Sequence, residues 1–192
     1  MLKFLIVLIA LGVLGALVLR WGGRGAMPEA GAAAPDFTLH DAAHQHHRLA
    51  DYRGRWLVLY FYPKDATPTC TAEACNLRDS HIEFQARDVA LLGVSLDDAA
   101  SHADFAQHHG LTFPLLADPD ATVARAYGSL WDFGLLRFAK RHTFLIDPAG
   151  RVAKVYRDID PARHAQEILA DLTRFGVVAP SSGANNQSVP SQ

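Results

Sequence analysis

Apolar positions along this 192-residue chain change their spacing several times, and each change marks an element. "RWLVLYFYP" (55–63) is an unbroken apolar run closed by proline, the pattern of a strand covered on both faces. "VALLGVSLD" (89–97) is a second such strand. Between them, Ala74, Leu77, His81, Ile82 and Phe84 recur at roughly helical spacing and predict one helix over 71–86. "AASHADFAQHHG" reads as a helix that stops at Gly110. "FPLLADPD" is a short strand running into a turn, and "ATVARAYGS" a short helix. "RHTFLIDPAGRVAKVYRD" predicts a hairpin about its Pro-Ala-Gly turn. "DPARHAQEILADLTRFG" predicts a closing amphipathic helix, with Pro161 at its start and Gly176 at its end. Upstream, "DFTL" and "HHRLADY" flank a polar stretch as a short hairpin. Strands alternating with helices imply an α/β sandwich built on a mixed sheet.

The two ends follow other rules. Residues 1–25, "MLKFLIVLIALGVLGALVLRWGGRG", hold an apolar run from Phe4 to Leu19. As a helix that run spans roughly 24 Å, slightly less than a bilayer core of about 30 Å. Lys3 and Arg20 can snorkel, and Trp21 suits an interface. A cleaved signal peptide is the alternative, but Arg20 and Arg24 precede the first small-residue site at Ala30, Gly31 and Ala32. The reading is therefore a transmembrane anchor over 1–25, with the following domain on the periplasmic or extracytoplasmic side. Residues 26–33 belong to an Ala/Gly/Pro-rich linker, and the polar stretch 179–192 reads as a disordered tail. The folded domain is then 34–178. A hydrophobic fraction of 49% fills one substantial core, and a net charge of −2 with no basic stripe gives no reason to expect nucleic acid.

The chain has two cysteines, both in "TPTCTAEAC" (67–75). Their spacing is too wide for Cys-x-x-Cys redox chemistry and awkward for a metal clamp. Cys70 follows a buried strand and a short loop, so it falls at or near a helix N-terminus. Unpaired backbone N–H groups favour an anion there, and a thiolate is one. A strand, a tight loop and a nucleophile on the first helical turn form a catalytic layout. The alternative is a structural cysteine that occupies this place by chance.

"YFYPKDATPTCTAEAC" resembles the active-site loop of peroxiredoxins, whose signature Pro-x-x-x-Thr-x-x-Cys is filled by Pro63, Thr67 and Cys70. A second cysteine five positions on resembles the bacterioferritin-comigratory, or Q-type, subfamily. The likeness extends from "APDFTLHD" through "LADYRGRWLVLYFYPKD" to "RHTFLIDPAGRV". Thr69 stands where the family usually has glycine, and "DAAHQHH" replaces a commoner glycine-containing turn. The resemblance implies a thioredoxin-like fold and thiol-dependent reduction of hydrogen peroxide and organic hydroperoxides. It also implies a monomer re-reduced by thioredoxin or another dithiol donor, with no metal or organic cofactor. It makes Cys70 the attacking thiolate, which becomes a sulfenic acid. Thr67 then offers a hydroxyl to hold sulfur and peroxide in line. Arg141 supplies positive charge to the thiolate and the leaving oxygen. Pro63 shields the pocket. Glu73 either orients Arg141 or is a solvated first-turn acid.

Cys75 is implied as the resolving thiol, its alternative being a small core residue. On an intact helix the two Cα atoms would stand roughly 8.6 Å apart. Disulfides rarely exceed about 7 Å, so the helix must unwind to close the bond. Two rival functions use the same residues. A copper-binding assembly protein of the Sco type would pair the thiols with a distant histidine such as His142. A thiol–disulfide oxidoreductase would need the absent Cys-x-x-Cys. His40, His44, His46 and His47 cluster near a turn, and His108 adjoins His109, without a cysteine to complete a metal site.

Overall fold

The structure, a computed structural model, describes residues 25–180. The predicted anchor, up to Arg24, and the tail from residue 181 lie outside the described residues.

A seven-stranded mixed sheet runs in the order β2-β1-β5-β4-β3-β8-β9. At its centre β3 (Trp56–Phe61) lies parallel to β4 (Val89–Ser95) and antiparallel to β8 (His142–Ile146). β4 continues to a parallel β5 (Leu115–Ala117), which meets the first hairpin, β1 (Thr38–Asp41) and β2 (His46–Arg48). β9 (Val152–Tyr156) pairs with β8 to form the opposite edge. The turn between them holds Gly150 at φ 73°, a left-handed conformation that suits glycine.

Alternation along β3 sends its side chains to two cores. Leu57, Leu59 and Phe61 enter one with Leu92, Leu116, Tyr127 and Phe144. Val58, Tyr60 and Tyr62 enter the other with Cys70, Leu77, Phe84, Ile168 and Leu172. The second core lies under α1 (Pro68–Asp79), α2 (His81–Ala86), α3 (Ala99–His109) and α5 (His164–Arg174), and the first under α4 (Thr122–Ala126). This is the thioredoxin-like α/β arrangement expected from the sequence.

Four local features differ from the sequence reading. The single helix expected over 71–86 is two, because Ser80 leaves helical geometry at φ −98° and ψ 0°. The break turns Ile82 outward to 74% exposure, whereas Leu77 and Phe84 stay buried. The last helix begins at His164, not at Pro161, where residues 161–163 form a turn. The Asn76 side chain from α1 accepts from the Ala165 N–H at 2.9 Å, satisfying a donor at that start. The stretch read as a linker is tied to the sheet edge: Gly31 N–H donates to the Val152 carbonyl at 2.7 Å, and Val152 N–H donates to the Ala32 carbonyl at 2.9 Å. Finally, β6 (Leu130–Asp132) and β7 (Arg137–Ala139) form a hairpin the sequence reading did not assign, leaving Trp131, Phe133, Leu135 and Leu136 exposed.

Candidate active site

The site forms where β3 hands the chain to α1. Pro68 occupies the first turn of α1, where its missing N–H costs nothing, and Thr67 precedes it as the N-cap. The Thr67 carbonyl accepts the first helical bond, from Thr71 N–H at 2.9 Å. Cys70 is thus the third residue of the helix, its side chain 2% exposed.

Sheet register brings the second half. In the antiparallel β3–β8 pair Phe61 faces His142, so the residue before β8 emerges beside the loop after β3. That residue is Arg141. Its Nη2 donates to the Cys70 Sγ at 3.2 Å, and its Nη1 donates to the Glu73 carboxylate. Glu73 lies one turn beyond Cys70 and is fully buried, which excludes the solvated-acid reading of this residue. Burial pushes its carboxyl up to about 7, against the pull of the Arg141 charge. For Arg141, burial opposes the charge, but Glu73 and Cys70 outweigh it and hold the guanidinium above its ordinary value. Cys70, Glu73 and Arg141 therefore form one hydrogen-bonded unit from two distant segments.

The other expected residues are placed less directly. Pro63 is half-buried where the chain leaves the sheet. Thr67 is also half-buried, and its hydroxyl donates to the Lys64 carbonyl at 3.1 Å rather than to the sulfur. Cys75 is a free, half-buried thiol on the same unbroken helix as Cys70, itself a free thiol. His142 meets the Ser129 hydroxyl at 3.0 Å, and burial, with Lys140 and Arg157, pushes it down to about 4. Among the described residues no group of three or more His, Cys, Asp or Glu could hold a metal ion.

Three buried groups near the site escaped the sequence reading. His164 bonds the Thr143 hydroxyl at 2.8 Å, and burial and the Arg141 charge push it down to about 4. Tyr60 is fully buried, and burial together with Glu73, Asp65 and Cys70 raises its hydroxyl well above the usual range, against the opposing pull of the Arg141 charge. Asp65 and His102 pair at 2.8 Å beside the loop. No motif marks these residues, because strand and helix positions acquire their neighbours only in the fold.

The sequence model of the AhpC/TSA family matches residues 30–155. The chain belongs to that family. Peroxiredoxin Bcp of Bacillus subtilis is 42% identical over 149 residues, covering 75% of this chain and 94% of that one. Among solved structures, the peroxidoxin BcpB of Mycobacterium tuberculosis superposes with a TM-score of 0.73 at 33% identity, over 77% of this chain and 98% of that one. The bacterioferritin comigratory protein of Xanthomonas campestris, described for its alkyl peroxide reduction activity, gives 0.70 at 34% identity, over 77% and 99% of the two chains. This AhpC/TSA member is a peroxiredoxin of the Bcp/Q group, a thiol peroxidase, and the Sco-like copper alternative finds no support. The membrane-anchored, extracytoplasmic placement is corrected. The family match begins only at residue 30, and among the described residues no helix is long and apolar enough to cross a membrane.

Proposed function

We propose that Cys70 is the peroxidatic nucleophile of this peroxiredoxin, that Arg141 and Glu73 hold and polarise its site, and that Cys75 resolves the oxidised product. The observation that carries the reading is the Arg141 guanidinium, which touches the Cys70 sulfur and the Glu73 carboxylate at once. A cation fixed at 3.2 Å stabilises a thiolate before reaction and the charge that develops on the departing oxygen during it.

The thiolate attacks the terminal oxygen of a hydroperoxide, so that an S–O bond forms as the O–O bond breaks. The product is Cys70 sulfenic acid, and the leaving alkoxide or hydroxide takes a proton to become alcohol or water. Pro63 shields the pocket, and the Thr67 hydroxyl, anchored through its hydrogen on Lys64, offers lone pairs to the peroxide proton. Cys75 then attacks the sulfenic sulfur, releasing water and closing an intramolecular disulfide. A dithiol donor, thioredoxin or one like it, takes the chain back to two thiols. Hydrogen peroxide and organic hydroperoxides both suit this chemistry. The alkyl peroxide activity named for the Xanthomonas relative supports the second class. Both thiols lie on one helix of one chain, so a monomer built on 34–178, with 26–33 as its leading segment and 179–192 as its tail, completes the cycle.

The test is peroxide consumption by the full chain with thioredoxin and its reductase. Cys70→Ser is expected to lose activity, since a hydroxyl is a poor nucleophile near neutral pH. Retention of most of the wild-type rate would overturn the assignment.

A further inference from the structure

Asp65 sits midway along the loop between β3 and α1, five residues before Cys70. Its side chain is 4% exposed, yet it is fully engaged. One carboxylate oxygen accepts from the Tyr62 hydroxyl at 2.7 Å. The other accepts from the Ser101 hydroxyl at 2.7 Å and meets His102 Nδ1 at 2.8 Å. The backbone N–H of Asp65 donates to the Asp97 carboxylate at 2.9 Å, and Asp97 also takes the Ser95 hydroxyl at 2.6 Å. Burial opposes the charge on Asp65, but His102, Ser101 and Tyr62 outweigh it and hold the carboxyl below its ordinary range.

These bonds join separate elements. Ser101 and His102 belong to the first turns of α3, which already has its own cap in Asp98, accepting from Ser101 N–H at 2.9 Å. Asp65 is therefore not needed to complete that helix. What its carboxylate fixes is the loop. The next residue, Ala66, lies at φ 56°, a left-handed conformation that side-chain-bearing residues avoid. Such a conformation persists only where surrounding bonds over-determine it. Directly after it come Thr67, the N-cap of α1, and the turn that carries Cys70.

We propose that Asp65 is a positioning residue for the peroxidase reaction: clamped by His102 and Ser101, it holds the 63–67 loop so that the first turn of α1 stays wound around Cys70. The inference rests on the assignment of Cys70 and Cys75 made above. It adds a direction. The reaction with peroxide uses the wound helix, whereas the disulfide requires that helix to open. Loosening the clamp therefore harms the first step and spares or favours the second.

Single-turnover kinetics on the reduced full chain separate the two steps. Asp65→Asn is expected to lower the second-order rate of reaction with hydrogen peroxide at least tenfold, while closure of the Cys70–Cys75 disulfide keeps its rate or gains. Ser101→Ala, which removes one hydroxyl from an otherwise intact clamp, is expected to shift both rates in the same directions by less. It decides the matter if Asp65→Asn does not fold. A residue that only stabilised the fold would leave both rates unchanged or lower both together, and either outcome overturns the proposal. Failure of the underlying assignment shows separately, as peroxide reduction that survives Cys70→Ser or an intramolecular disulfide that forms without Cys75.

Discussion

Arg141 Nη2 lies 3.2 Å from the Cys70 sulfur although 71 positions separate the two residues. The contact exists because β8 runs antiparallel to β3 in one register, with His142 opposite Phe61. Removing the guanidinium with Arg141→Met is expected to lower the peroxide rate by on the order of 10²-fold, the usual cost of one donor at a developing oxyanion. Arg141→Lys should recover only part of this, because one ammonium does not reproduce the planar fork that reaches sulfur and carboxylate together. Stopped-flow measurement of the first turnover checks both.

Glu73 predicts a pH dependence of stability. Burial raises its carboxyl from 4.5 to about 7 in the folded chain. Between those values the unfolded chain ionises while the folded one keeps its proton. The stabilisation is complete below about 4.5 and is lost as pH rises to about 7. Glu73→Gln removes that dependence, so urea unfolding at several pH values should show wild type losing on the order of 3 kcal/mol relative to the variant across the window.

Cys75 separates resolution from chemistry. Peroxide should convert the reduced chain to an intramolecular disulfide without forming a dimer. Since α1 is continuous from Pro68 to Asp79, closing that bond must open the helix. Amide exchange at residues 70–77 should therefore speed up on oxidation, while Val58 and Leu92 in the central strands stay protected. Cys75→Ser should complete one turnover, stall as sulfenic acid and overoxidise. Turnover with thioredoxin at the wild-type rate would make Cys75 a core residue. Mass spectrometry of the products distinguishes these outcomes.

Leu77 supports the site from beneath. It is fully buried in the core that also contains Cys70, Ala74, Phe84 and Ile168. Leu77→Ala should cost about 2–5 kcal/mol in denaturant unfolding, through lost burial and the cavity left behind.

Much of this protein was written in its apolar spacing. The runs at 55–63 and 89–97 have the composition of doubly covered strands, and they became the parallel centre of the sheet. The place of Cys70 at a helix N-terminus was legible because loop chemistry is local: the buried strand, the short loop and the first turn that carries Cys70 all lie within a few residues. The break at Ser80 was not legible, because Ala74, Leu77 and Phe84 fit either one helix or two. Only packing turned Ile82 away from the core. The hairpin of β6 and β7 was missed because its large apolar residues Trp131, Phe133, Leu135 and Leu136 face solvent, contrary to the inward rule on which spacing arguments rest. The state of Glu73 and the Asp65–His102 clamp belong to the tertiary structure alone. A carboxylate's charge depends on what surrounds it: for Glu73 those surroundings are the buried core and Arg141, the residue before β8, and for Asp65 they are the first turn of α3. Short-range chemistry could be read from the chain, whereas the electrostatics of the site depend on neighbours that only the sheet register and helix packing supply.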